Sequence, residues 1–506
     1  MREATVEIDL VQGCEFPPEA VNHGGKECSL SSIYSDAGIE LNVVRGQRDI
    51  EDREAGKPFD LIALHEYMVK HREERRIGWY AHILVVPQIQ YMYDFRLKEP
   101  LGVMYDFRDY GVNTLQREGC AMSYDRVKQS DKMYLRTLAH ELGHVFNLVH
   151  PNQDVPRQPY GTTIMNQTGM LQRQGDFPSN IRYEFSETDT RFLSTAQAPF
   201  VQPGGVPFGR RPQRVGEMAT DEEIAVTAGL SFTISTAVES YQIGEPVWLR
   251  MSLRNDSDAP VEVDANFSGA TGLVDIAIRD PLNQETIFRP CYFECIEADV
   301  IELKPGEEVL GNLAVFFGAD GYSFPIDGAY QLSATYQASI DGENAVTALS
   351  NTHEFEVKES QSSADVDYSD ALMISPTQAL FMILGGGSHL EGAVDSLTNI
   401  VRKYGDSRSA QFARLSLAQN TLREAAGNAS VQTALKLLED IDLDVLDLEQ
   451  RADVHRATSQ AYAMAGSRRK AADGISRFRD VAARGIPGSK QVVAKLAAHV
   501  NRITDS

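Results

Sequence analysis

The run Thr137-Leu-Ala-His140-Glu141-Leu-Gly-His144-Val-Phe-Asn147-Leu-Val-His150 constrains the fold more than any other part of this 506-residue chain. Leu135, Leu138, Leu142 and Val145 recur at helical spacing, and Ser130 or Asp131 can cap the helix they define. On that helix His140 and His144 are four residues apart on one face, a separation that lets two imidazoles reach a single metal ion. His150 cannot join them from the same helix face, because six further residues carry it about 240° round the axis at ~100° per residue. The helix must end and the chain must reverse between His144 and His150. Asn147 stands midway, and after glycine Asn most readily takes the left-handed conformation that such a reversal needs.

Three neutral imidazoles leave one tetrahedral position open, which is the donor set of a catalytic rather than a structural Zn²⁺ site. A water there would be acidified towards a pKa of about 7, and Glu141, beside His140, can serve as its general base. These residues resemble the metzincin clan of zinc metallopeptidases, whose signature is His-Glu-x-x-His-x-x-Gly-x-x-His followed by a methionine-containing turn. His140, Glu141, His144 and His150 match it, with Asn147 standing where the clan has Gly. Thr162-Thr-Ile-Met165-Asn-Gln best matches the Met-turn, and Met170 matches it less well.

Pro151 resembles the serralysin choice after the third histidine. Serralysins, however, place a tyrosine ligand two residues after the turn methionine, where this chain has Gln167, and their glycine-rich calcium repeats are missing. The resemblance thus implies a metzincin outside the best-known families, and it covers residues 1–200 only. It further implies that an edge strand of the sheet pairs with substrate backbone. The segment Gly119-Cys120-Ala121-Met122-Ser-Tyr124, just before the helix, is the substrate-binding strand expected by position. Phe185–Leu193 resembles the helix that closes the clan's lower subdomain.

At ~150 residues per domain the length gives about three domains. Three prolines and three glycines within residues 202–212 mark one linker, and the polar stretch from Lys358 to Asp367 marks another. The expected architecture is a multidomain one. Residues 1–200 form an α/β or α+β metzincin-like catalytic domain, with strands at Ile39–Val44 and Ala81–Val86 and a helix over Phe59–Arg75. A Pro/Gly linker over 201–215 leads to an all-β, immunoglobulin-like sandwich at 216–358, with strands such as Val247–Leu253, Val274–Ile278 and Tyr330–Tyr336. After a linker over 359–367, residues 368–506 read as all-helical. Tyr462, Gly466 and Ala471 there fall at tetratricopeptide-like spacing, which leaves a helical bundle and a short repeat array both open.

The net charge of −24 argues against nucleic acid or an anionic membrane as partner of the whole molecule, and no apolar run is long enough to span a membrane. Residues 217–360 carry 26 acidic and 6 basic side chains, so nearly all the acidity lies in the sandwich. That region is expected to act as a solubilising spacer or a module for cationic partners, and the helical part as a docking surface for a protein partner. Asp256, Asp258 and Asp264 supply hard oxygens for Ca²⁺, but no calcium loop accompanies them and a solvated acidic face is the expectation. Five cysteines allow Cys14–Cys28 or Cys291–Cys295 pairs, with buried thiols expected instead. Cys120 lacks the cysteine-switch motif of a latency device, and His65, His71 and His82 carry no metal spacing. The chain shows no signal peptide, while the resemblance implies an exported protein whose leader has been removed, with a cytoplasmic protein as the alternative.

The function expected is that of a zinc-dependent endopeptidase, in which His140, His144 and His150 hold Zn²⁺, Glu141 is the base, and a protein or peptide is the substrate. The alternatives are an inactive metzincin-like scaffold acting through its sandwich and helical parts, and metal-dependent hydrolysis of a non-peptide amide.

Overall fold

The computed structural model describes residues 1–52, 56–72, 78–93, 96–105, 117–151, 161–210, 226–267, 269–295, 299–340, 345–359, 362–374, 376–390, 392–425, 427–446, 448–483, 493–494, 496–498 and 500–501. It is a mixed α/β molecule with several sheets and a helical C-terminal region.

The first part contains β1 (Arg2–Leu10), α1 (Leu30–Asp36), β2 (Ile39–Arg45), α2 (Leu61–His71), β3 (Tyr80–Val86), β4 (Gly102–Tyr105), β5 (Gly119–Ser123), α3 (Asp131–Val145) and α4 (Glu187–Thr195). Strands β2, β1, β3 and β5 are parallel neighbours, and β4 runs antiparallel on the outer side of β5. The near-continuous apolar run Ile83-Leu-Val-Val86 is the mark of a parallel strand covered on both faces. Alternate residues divide between those faces. Val6, Ile8, Leu10, Ile83, Val85, Cys120 and Met122 pack with α1 and α3. Leu84, Val86, Val103, Tyr105 and Ala121 pack with Leu61, Leu64 and Met68 of α2. Tyr34 of α1 donates its hydroxyl to Ala139 O of α3 at 2.8 Å, tying helix to helix through the core.

The middle part follows as β6 (Leu230–Ser235), β7 (Ser240–Gln242), β8 (Trp248–Asn255), β9 (Val274–Arg279), β10 (Glu285–Ile287), β11 (Tyr292–Cys295), β12 (Glu308–Ala314), β13 (Gly328–Ser339), β14 (Ala345–Leu349) and β15 (His353–Lys358). One sheet is ordered β6-β8-β12 and the other β7-β15-β13-β9-β10, with β14 also on β13. Alternating residues from both sheets, among them Phe232, Leu249, Leu253, Ile276, Leu332 and Tyr336, fill the space between them. Phe267 lies edge-on to Phe232 at 5.3 Å, and Gly311 has no room for a Cβ because that ring covers it. Strand β11 departs from the sandwich and pairs with β4, completing the first sheet in the order β11-β4-β5-β3-β1-β2.

The helical part comprises α5 (Ser363–Ile374), α6 (Thr377–Leu384), α7 (Ala393–Lys403), α8 (Arg408–Arg423), α9 (Asn428–Glu439), α10 (Leu448–Met464) and α11 (Arg468–Ala482). Helices α8 to α11 pack on one another in sequence order. Gly466 makes the turn between α10 and α11 at φ 74°, and Gly474 lets α11 lie against Ser459 of α10.

The structure corrects two expected linkers. Residues 201–210 are docked rather than extended, with Val201 and Phe208 buried in the same apolar cluster as α3; residues 211–215 lie outside the described residues. The segment 359–367 is already helical from Ser363, because Ser362 caps the helix by accepting the Asp365 amide at 3.1 Å. The helix expected over Phe59–Arg75 spans Leu61–His71, and residues 73–75 lie outside the described residues.

The three parts are not separate bodies. One apolar cluster runs from the α2 face of the first sheet through the sandwich to Tyr368, Leu380 and Phe381. Arg408 reaches the buried Glu245 at 3.2 Å, Arg423 pairs with Asp60, and His65 Nδ1 lies 2.8 Å from His389 Nε2. Cutting the chain after residue 216 uncovers this seam and the β4 edge. The fragment is therefore expected to melt at lower temperature and to bind more of an apolar dye than the full chain. Equal melting temperatures in calorimetry would show that the seam adds no stability.

Candidate metal centre

Helix α3 starts where Ser130 accepts the Met133 amide at 3.4 Å, and it ends in a left-handed residue. Asn147 has φ 68°, Leu148 N donates to Gly143 O at 2.9 Å, and the chain doubles back. This reversal brings His150 to His140 and His144: Nε2 of His140 is 3.1 Å from that of His144 and 3.2 Å from that of His150. Among the described residues, these three form the one group of three or more donors close enough to share a metal ion.

The ring orientations are fixed from behind. His140 Nδ1 lies 2.7 Å from Ile164 O, and His144 Nδ1 lies 2.7 Å from Leu148 O. A carbonyl can only accept, so both Nδ1 atoms carry the proton and both Nε2 lone pairs point inward. Behind the third ring, Gln167 Nε2 lies 3.4 Å from His150 Nδ1. Converging lone pairs at 3.1–3.2 Å repel one another and suit a cation between them. The residues present thus fit a bound divalent metal.

Met165 lies beneath the helix, fully buried. A Cβ on Gly143 would come within 2.5 Å of Met165 Sδ, so the glycine in the His-Glu-x-Gly-His run exists to let the methionine-bearing turn approach. Arg136, four residues before His140 and itself fully buried, holds that turn. Its guanidinium donates to Thr168 Oγ1 at 2.6 Å, Thr163 O at 3.0 Å and Ile164 O at 3.1 Å, and also to Asn166 O. The carbonyl that orients His140 is therefore itself fixed by the same helix.

Glu141 is buried beside the histidines, against the sheet. A Cβ on Gly102 of β4 would meet Glu141 Cγ at 2.5 Å and Oε1 at 2.8 Å, so only glycine lets the carboxylate lie over this strand. Burial, and then the Glu141 charge, push the Cys120 thiol well up, which keeps it protonated rather than a metal-binding thiolate. Desolvation lowers His140 strongly, helped by His144 and His150, and brings His144 down to about 4.

Asn147 does more than make the turn. Its side-chain amide donates to Phe200 O at 2.9 Å and Arg210 O at 3.0 Å, and its Oδ1 accepts from Gly209 N at 2.7 Å. Buried Arg117 adds bonds to Val145 O, Gln202 O and Val206 O. Segment 200–210 is thereby fastened to the end of α3, with Phe208 edge-on to His144 at 5.5 Å.

Among the residues expected from sequence, the structure brings together His140, His144, His150, Glu141, Asn147 and Met165. The expectation of an edge strand at Gly119–Tyr124 is corrected. Gly119, Cys120, Ala121 and Met122 belong to β5, which is bonded to β3 on one side and β4 on the other, so it offers no free edge to a substrate. Asp256, Asp258 and Asp264 do not converge on a cation: Asp256 pairs with Arg254 at 2.9 Å, and Asp264 Oδ1 takes the amides of Asn266 and Asp299. His82 is buried on Asp9 at 3.0 Å and His71 lies 3.1 Å from Gln47 Oε1. Cys14 and Cys28 are unpaired thiols, and the Cys295 side chain lies outside the described residues. Sequence reasoning missed Gly102, Arg136 and Phe208, and it named Gln167 only as the residue standing where serralysins have a tyrosine ligand. Arg136 shares the four-residue spacing of His140 and His144, and a glycine opening a strand signals a close approach. Phe208 carried no local signal.

No family model and no curated protein matches this sequence. Among solved structures, OgpA from Akkermansia muciniphila aligns at 12% identity over 70% of this chain and 94% of its own, with a TM-score of 0.21. A CARDB domain from Pyrococcus furiosus, solved with di-metal ions, aligns at 14% identity over 26% of this chain and 94% of its own, with a TM-score of 0.15. A β-glucosidase from Erythrobacter marinus aligns at 14% identity over 71% of this chain and 46% of its own, with a TM-score of 0.17. Nothing about this chain follows from alignments at such scores.

Two outcomes are expected from this geometry. His144 titrates near its ordinary 6.5 when unfolded and at about 4 when folded, so the unfolded chain takes up protons first. The metal-free protein should thus lose stability as pH falls from 6.5 to about 4, with buried His140 adding to the loss. Thermal melts across that window check this, and a flat profile would contradict it. Asn147→Gly keeps the left-handed turn but gives up three hydrogen bonds, so urea unfolding should show a loss of about 1–3 kcal/mol. Asn147→Ala should lose about 1 kcal/mol more, from strain at positive φ.

Proposed function

We propose that this chain is a zinc-dependent metalloendopeptidase of metzincin type that hydrolyses peptide bonds in proteins or peptides. The observation that carries the reading is the convergence of three imidazoles, two of them oriented by backbone carbonyls, with Glu141 adjoining them on α3 and Met165 beneath them. His140, His144 and His150 would hold the ion, and these soft-to-borderline nitrogen donors suit Zn²⁺ better than Ca²⁺ or Mg²⁺. When bound, the metal supplies Lewis acidity that activates water and polarises a peptide carbonyl.

The chain's own groups supply the rest. Glu141 takes the proton from the attacking water and delivers it to the amine that leaves when the C–N bond breaks. Burial of its carboxylate keeps bulk water from competing for that proton. The Ile164 and Leu148 carbonyls hold the imidazoles so that their Nε2 atoms stay directed at the ion, and Arg136 keeps the Ile164 carbonyl in place.

One observation favours a second reading, an inactive scaffold. All three histidines and Glu141 are no more than 3% exposed, so little of these side chains meets solvent in this conformation. Metal content and turnover separate the readings. The peptidase should bind one Zn²⁺ per chain and cleave casein or a peptide library in a manner that a chelator stops. Glu141→Gln should retain the zinc and lose 10²- to 10⁴-fold in rate, the usual contribution of a general base. Protein that binds no metal, or a Glu141→Gln variant that cleaves as fast as the wild type, would sink the proposal.

A further inference from the structure

The outer edge of β4 is the sheet edge nearest the metal centre, because Gly102 on that strand lies directly against Glu141. An extended polypeptide would add to such an edge through backbone hydrogen bonds, placing its own peptide groups beside the carboxylate. In this structure the edge is already taken. β11 pairs with it antiparallel, with Tyr292 opposite Tyr105, Phe293 opposite Met104, Glu294 opposite Val103 and Cys295 opposite Gly102. The segment comes from the sandwich region, far along the chain, yet it belongs to neither of that region's two main sheets.

Beside the occupied edge lie buried side chains. His140, His144, His150 and Glu141 are buried while β11 is in place. The contact is also small. A ladder of four residue pairs is short enough for a competing strand to displace.

We infer that β11 is an internal occupant of the substrate edge, which holds the centre latent until an extended polypeptide or a movement of the sandwich displaces it. This rests on the peptidase reading for its meaning. The occupancy itself is a separate, measurable property of the chain. A strand that served only to cap the sheet against aggregation would leave access to the centre unchanged when loosened.

The test uses the full-length, zinc-loaded chain and a fluorescent peptide hydroxamate, which binds a metal centre without being turned over. Proline at both Phe293 and Glu294 removes a ladder amide whichever of the two faces β4, since hydrogen-bonded and non-bonded positions alternate. The Phe293→Pro/Glu294→Pro variant should bind the probe at least ten-fold more tightly than wild type, and the β4 amides should exchange hydrogen faster. Unchanged affinity and exchange would overturn the inference. If the variant binds the probe tightly but does not cleave casein, the occupancy stands and the peptidase reading falls.

A second variant guards against misfolding of the first. Residues 103 and 294 are directly opposite, within the Cα separation that a disulfide spans. In Val103→Cys/Glu294→Cys/Cys295→Ser the oxidised chain should bind the probe at least ten-fold more weakly than the chain reduced with a phosphine. Equal binding in both redox states would refute the inference.

Discussion

The reversal of the chain at Asn147 is the constraint on which the rest of the centre depends. A straight helix can present two imidazoles four residues apart but never a third ten residues on from the first, because the helical period sends it to another face. One left-handed residue at φ 68° resolves this. The same residue uses its amide to bind the 200–210 segment, so the turn that gathers the three histidines also sets the wall beside them. A glycine at this position would supply the turn without the wall.

Behind the histidines the structure is a chain of dependencies anchored in α3. Arg136 fixes the carbonyls of the turn after Thr163, one of those carbonyls orients His140, and Gly143 admits Met165 between helix and turn. The guanidinium is a buried cation held on carbonyl dipoles and a hydroxyl, and its charge adds to the desolvation that lowers His140. On the sheet side Gly102 gives Glu141 the space it needs. The centre therefore relies on two glycines and one asparagine as much as on its ligands.

The sandwich is integrated into the first sheet instead of hanging from it. β11 extends that sheet on the Glu141 side, and the apolar seam continues from α2 into the sandwich and on to the helices. A boundary read from proline and glycine content marks where the backbone turns often, and such turns are as compatible with a docked loop as with a free one. Residues 201–210 are docked because buried Arg117 and Asn147 supply the donors that their carbonyls require.

The elements themselves were legible. Apolar runs located β2, β3, β8, β9 and β13, helical spacing located α3, and the chain after 368 read as helical, because side-chain periodicity follows directly from backbone geometry. The three histidines, Glu141 and the need for a turn at Asn147 followed from spacing alone. What the sequence could not contain was adjacency between strands. Whether Gly119–Ser123 is an edge or an interior strand depends on β4 beside it, and whether β4 is an edge depends on a segment that arrives from the sandwich. Local residue order determines which side chains share a helix face and where the chain must reverse. Only the tertiary structure decides which backbone groups find partners across the sheet, because hydrogen-bond pairing between strands is set by packing between segments distant in the chain.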